Sequence, residues 1–315
     1  MRNERGFALL AALWLLVALS VVGLEFGFRA RERRLSAANV LEGGRARAAA
    51  DAGLADAHAV LSDLLSRPST PGRGDVNRLL DPWGGSEVLL RDTVALGDAR
   101  YLVSLSDAGA ALNLNRADEE ELRRLFTALR IDFGKADRLA QRIMDWQDGD
   151  NLHRARGAER DDYLREGAAV LPANRPFDRL RDLRHVLGMT PEIYALVRPH
   201  LTLLGTGQVN LNAASKPVLL ALPGMTEQSV GIVLRRRSSS RPLRNLLELA
   251  NELPTQPRAA LQAHFAQLLP LVAFETREII ASSDGWADAS PVHAVVTGLF
   301  ARGGRNAFLV WRSVQ

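Results

Sequence analysis

The 315-residue sequence has no cysteine, which excludes disulfide staples and thiolate metal centres but leaves the cellular compartment open. Lysine is nearly missing too: Lys135 and Lys216 stand among 40 basic residues, so arginine carries almost all the positive charge. No nucleophile motif, Walker loop or zinc-ligand spacing occurs, and the six histidines, His58, His153, His185, His200, His264 and His293, are scattered. These absences point away from catalysis and require no cofactor. A net charge of +4 is modest for this length, so it permits a nucleic-acid partner without demanding one. The remaining composition, 47% hydrophobic and 24% charged, excludes disorder along the whole chain and suggests two domains.

Charge is also absent from Phe7 to Leu24, 18 consecutive residues preceded by Arg2, Glu4, Arg5 and Gly6. That length just suffices to cross a bilayer core. Three readings compete. A secretory signal peptide would be cut near Ala18-Leu19-Ser20, yet the apolar run continues beyond that point. A plain signal anchor would follow the positive-inside rule, and Arg29, Arg31, Arg33 and Arg34 after the span would then keep the body of the protein in the cytoplasm. The third reading rests on Gly6-Phe7, where the charges end and the span begins. This border resembles the class III leader of type IV pilins and pseudopilins, which is cut before the apolar segment so that the segment is retained.

No proline occurs before Pro68, and apolar residues recur at helical spacing, which predicts one helix from Phe7 to about Leu65, loosest at Gly43-Gly44. Its outer half is expected to lie against a globular head. Pro68 to Gly74 reads as a linker, and Glu87–Leu90 and Tyr101–Leu105 as short strands. Helical patterning then fills Leu112 to Leu269. Strand patterning returns at Val292–Phe300 and Ala307–Val314 around an Arg302–Arg305 turn, a β-hairpin. Strands on both flanks of a helical block suggest one sheet with the block inserted into it.

The block contains a repeat. Asn113-Leu114-Asn115-Arg116-Ala117 returns 97 residues later as Asn210-Leu211-Asn212-Ala213-Ala214, and Arg175-Pro176-Phe177 returns as Arg241-Pro242-Leu243. Each asparagine unit precedes a helix that Asp118 or Ser215 is placed to cap. The asparagines themselves are expected to serve turns. Leu219 to Arg237 resembles a helix-hairpin-helix, with Leu222, Pro223 and Gly224 at its turn and Arg235, Arg236 and Arg237 at its end. In DNA-binding versions such a turn brings backbone N–H groups to a phosphate. The alternative function is therefore a membrane-tethered DNA-binding protein using the hairpin near Gly224. Against it, Thr226 replaces the second hairpin glycine and the first repeat retains only Gly134.

Several signatures occur in a specific order: Ser106-Asp107-Ala108-Gly109, Leu112-Asn113-Leu114-Asn115, Asp145-Trp146, Asp148-Gly149-Asp150, Gly157-Ala158-Glu159, Tyr163, Pro199-His200-Leu201-Thr202 and Val209-Asn210-Leu211-Asn212. Together with the amino terminus they resemble the K-type minor pseudopilins of the type II secretion system. The resemblance implies an α+β fold: a type IV pilin-like long N-terminal helix and an antiparallel sheet, with a large inserted all-α domain containing two helix-hairpin-helix or SAM-like repeats. The implied division is a leader at 1–6, an N-terminal helix at 7–65, sheet segments at 75–111 and 271–315, and the α-domain at 112–270.

It further implies a non-catalytic subunit at the tip of a periplasmic pseudopilus that nucleates or caps assembly. The partners would be minor pseudopilins I and J, and H, with prepilin peptidase cutting after Gly6 and N-methylation at Phe7. The chain would cross the bacterial inner membrane once, with its globular part in the periplasm, and nucleic acid is not the favoured partner. The pilin glutamate position falls on Ala11, a departure that resembles protein K within the family. The family's α-domain carries calcium in an acidic loop, so Asp145, Asp148, Asp150, Glu159, Asp161 and Asp162 are candidate ligands. A solvated acidic loop is the alternative.

Overall fold

The computed structural model describes residues 4–66, 92–239, 241–288, 290–304 and 306–314. The expected linker at 68–74 and strand at 87–90 lie outside the described residues, as do the first three residues of the leader. Helix α1 (Glu4–Ser66) runs unbroken through Gly43-Gly44. Side chains added at either glycine would meet nothing within 4 Å among the described residues. The helix penalty of about 1 kcal/mol per glycine is too small to break a helix anchored further along by packing. That anchor is the face carrying Ala46, Ala50, Leu54, Ala57 and Leu61, all buried and spaced by three or four residues.

β1 (Val94–Leu96) and β2 (Ala99–Asp107) form an antiparallel hairpin. Along β2, Ala99, Tyr101 and Val103 are buried while Arg100, Leu102 and Ser104 are exposed, the alternation of a sheet with one covered face. The chain then leaves the sheet for the helical block. In order come β3 (Leu112–Asn113), α2 (Glu119–Ala128), α3 (Phe133–Gln147), α4 (Arg160–Arg165), α5 (Pro191–Val197), β4 (Leu201–Thr202), β5 (Val209–Asn210), α6 (Lys216–Ala221), α7 (Glu227–Ser238), α8 (Leu246–Glu252), α9 (Thr255–Ala263), α10 (Phe265–Leu268) and β6 (Val272–Ala273). The sheet resumes with β7 (Glu278–Ala287), β8 (His293–Gly303) and β9 (Asn306–Val314).

The sheet order is β1-β2-β7-β8-β9, antiparallel throughout. β2 and β7 are thus neighbours, although the whole helical block separates them in the chain. α1 crosses the covered face. At the crossing, a Cβ on Gly285 would overlap the backbone of Ala46 and Ala50, so the glycine permits the close approach. Among the described residues two cores result, one between α1 and the sheet and one within the helical block.

The sequence repeat is a structural repeat. β3 pairs in parallel with β4, and β5 pairs in parallel with β6. Asn115 donates from Nδ2 to the Phe177 carbonyl at 2.9 Å and accepts from the Phe177 N–H at 2.8 Å, 62 residues away. Asn212 does the same with Leu243, at 2.8 and 2.9 Å across 31 residues. These asparagines therefore clamp distant segments as well as shaping turns. Asp118 forms a capping box with Glu121, but Ser215 does not cap α6 with its side chain. Its Oγ instead lies 2.9 Å from His200 Nδ1, a partner that local patterning could not reveal.

Candidate functional site

The acidic segment leaves the carboxyl end of α3 and is folded down onto it. Asp145, in the last turn of α3, is fully buried and organises the loop. Its carboxylate accepts from the Ala158 N–H at 2.8 Å and the Arg154 N–H at 3.2 Å, and pairs with Arg154 Nη1 at 2.5 Å. Gly157 is packed so closely that a Cβ there would overlap the Asp145 carboxylate. Gln141 Oε1 accepts from the Arg156 N–H at 2.7 Å. Behind the loop, buried Trp146 stacks on Phe177, with centroids 5.8 Å apart and planes 4° apart. The Asn115 clamp on Phe177 thus joins the acidic loop to the repeat.

Three carboxylates converge at the loop's mouth. One oxygen each from Asp148, Asp150 and Glu159 lies within 4.8 Å of the others. Glu159 is 3% exposed, and among the described residues neither of its carboxylate oxygens has a hydrogen-bond partner; Asp148 Oδ1 is likewise buried and unpartnered there. Burial, with the charges of Asp145, Asp148 and Asp150, pushes the Glu159 carboxyl up to about 7. Unsatisfied hard oxygens held together in this way fit a divalent cation such as calcium, with further oxygens supplied by backbone or water. The other candidates stand apart from this group. Asp145 is engaged by Arg154 and the loop backbone, and Asp161 is exposed. Asp162 accepts from the Glu159 N–H at 3.0 Å and from Arg165 at 2.9 Å, and the Glu159 N–H holds its carboxyl below the ordinary value.

At the turn near Gly224, a Cβ would lie 2.9 Å from the Ala260 carbonyl oxygen and 3.0 Å from His264 Cβ, so α9 and the residue that follows it cover this corner. Arg236 pairs with Glu248 at 2.7 Å and with Glu252, while Arg237 donates to the carbonyls of Ala214 at 2.6 Å and Ala213 at 3.2 Å. Two of the three arginines at the end of the hairpin are therefore used inside the fold. Arg235 is exposed.

Residues 101–206 match the family model described as type II secretion system (T2SS), protein K. A type II secretion system protein K of Pseudomonas aeruginosa is 27% identical over 300 residues, covering 90% of this chain and 89% of the relative. This chain is similar to protein K over most of its length. A Klebsiella pneumoniae protein K is 28% identical over 225 residues, covering 67% of this chain and 66% of that relative. Among solved structures, the GspK-GspI-GspJ complex from enterotoxigenic Escherichia coli contains a chain of similar fold, with TM-score 0.65, 19% identity, and coverage of 91% of this chain and 99% of that one. The similarity to type II secretion system proteins K supports a minor pseudopilin role in protein secretion.

α1 is a second candidate site. From Ala12 it is long and apolar enough to cross a membrane, and Leu13, Trp14, Leu15, Leu16, Val17 and Leu19 are all exposed. This is consistent with a single-pass anchor. Gly6, Phe7 and Ala11 fall within the helical backbone of α1. The residue that sequence reasoning overlooked is Arg154, and Gly157, quoted only within a signature, proves to be where the loop packs on Asp145. An arginine within an acidic run, three residues before a glycine, was the available signal.

Proposed function

We propose that this chain is a non-catalytic minor pseudopilin that stands at the tip of a type II secretion pseudopilus and nucleates or caps its assembly. The observation that carries this reading is the insertion of the whole helical block between β2 and β7, neighbouring strands of the sheet that packs on α1. In a filament of stacked α1 stems, so large an insertion would collide with the next subunit, whereas at the end it is accommodated. The partners in this reading are pseudopilins I and J, and H; the printed composition of the GspK-GspI-GspJ complex supports the first two. Prepilin peptidase cuts after Gly6, Phe7 becomes the methylated amino terminus, and α1 crosses the inner membrane once with the globular part in the periplasm. The helix pairs α2–α3 and α6–α7 serve as helix-hairpin-helix-like structural repeats. Asp148, Asp150 and Glu159 hold calcium.

Co-expression with prepilin peptidase and mass spectrometry of the purified chain test this reading. The expected product begins with methylated Phe7 and co-purifies with I and J. An intact leader, or a cut after Ser20, would reject it. The DNA-binding alternative would instead show as salt-sensitive DNA binding lost in Arg235→Ala.

A further inference from the structure

Among the described residues, Arg154 is the one cation ion-paired with any of the four carboxylates Asp145, Asp148, Asp150 and Glu159. Its Nη1 lies 2.5 Å from Asp145 Oδ1 and 2.7 Å from Asp148 Oδ2, and its Nε lies 3.7 Å from Glu119 Oε2. Asp148 is thus shared: Oδ2 pairs with Arg154, Oδ1 is buried without a partner among the described residues, and the carboxylate belongs to the Asp148–Asp150–Glu159 group. We propose that Arg154 is a built-in counter-cation of this site, holding the 148–159 loop closed without a divalent ion and weakening the affinity for one.

The inference rests on the calcium reading of the three carboxylates. Its physical basis is competition for one local excess of negative charge. A guanidinium on Oδ2 of Asp148 partly neutralises that carboxylate and repels a divalent ion approaching the group. It also stabilises the cation-free loop, since removing one partner of a buried pair leaves the other uncompensated. Asp145 would keep the backbone donors of Arg154 and Ala158, so losing the side chain would not strand it completely.

The test is calorimetric titration of the full-length protein in detergent micelles with calcium chloride, with melting temperatures in chelator and in saturating calcium. Wild type, Arg154→Gln, Arg154→Lys and Glu159→Gln are compared. Arg154→Gln is expected to melt lower than wild type in chelator, to bind calcium about tenfold more tightly, and to show a larger calcium-induced rise in melting temperature. Arg154→Lys, which keeps the charge, should stay near wild type. Unchanged or weaker binding in Arg154→Gln, or a chain that stays unfolded in saturating calcium, overturns the counter-cation role while leaving the metal site standing. No binding by wild type, or full binding by Glu159→Gln, overturns the metal site itself and the inference with it.

Discussion

Glu159 is the residue whose chemistry is most sensitive to its setting. Its carboxyl titrates at about 7 in the folded chain, against an ordinary value of 4.5, because burial and the neighbouring aspartates disfavour the charged form. A raised carboxyl contributes stability that is fully present below 4.5 and lost as pH rises through 7. In chelator, the melting temperature should therefore fall between pH 4.5 and 7, and Glu159→Gln should flatten that fall. Calcium should also suppress it by compensating the ionised carboxylate. A melting curve in chelator with the same pH dependence in wild type and Glu159→Gln would contradict this. The acidic run was visible in the sequence, but the convergence of Asp148, Asp150 and Glu159 was not. It depends on Asp145 drawing the loop back onto α3 through Arg154 and Ala158.

At the scale of elements, α1, the alternating strand β2 and the β8–β9 hairpin were legible because their signals are periodic and local. β7 was not. Its sequence, EIIASSDGWA, is rich in small and polar residues. The residues that face α1, Ala281, Ser283 and Gly285, are small because the helix lies directly on them, so strand propensity gives way to close approach. Gly285→Val should consequently cost at least about 2 kcal/mol in urea unfolding, since the new side chain would meet the backbone of Ala46 and Ala50. The same substitution at Gly44, where none of the described residues would lie within 4 Å of the added Cβ, should cost much less.

The whole molecule depends on how the helical block is joined to the sheet. Asp107 ends β2 at the junction, and its carboxylate accepts from the Gly109 N–H at 2.8 Å, Asn210 Nδ2 at 2.6 Å and Thr276 Oγ1 at 2.7 Å. One side chain thus ties the exit from the sheet to the second repeat and to the return. Burial raises its carboxyl above the ordinary value despite these three donors. Asp107→Ala should cost about 3 kcal/mol by leaving several donors unpaired. It should also speed proteolysis in the 108–111 and 274–277 connections, while the block's own core stays protected. Equal protection of those connections in both proteins would show that Asp107 does not set the junction.

By itself, the sequence determined the apolar stem, the α+β class, the paired asparagine units and the ordered signatures of the family, because such features are written in spacings of a few residues or in copies of one motif. Only the tertiary structure decided which carboxylates meet, that Arg236 and Arg237 serve the fold, and that β2 and β7 lie side by side across the entire helical block. Those outcomes turn on which distant charges and backbone groups satisfy one another once buried, a condition set by chain closure in three dimensions.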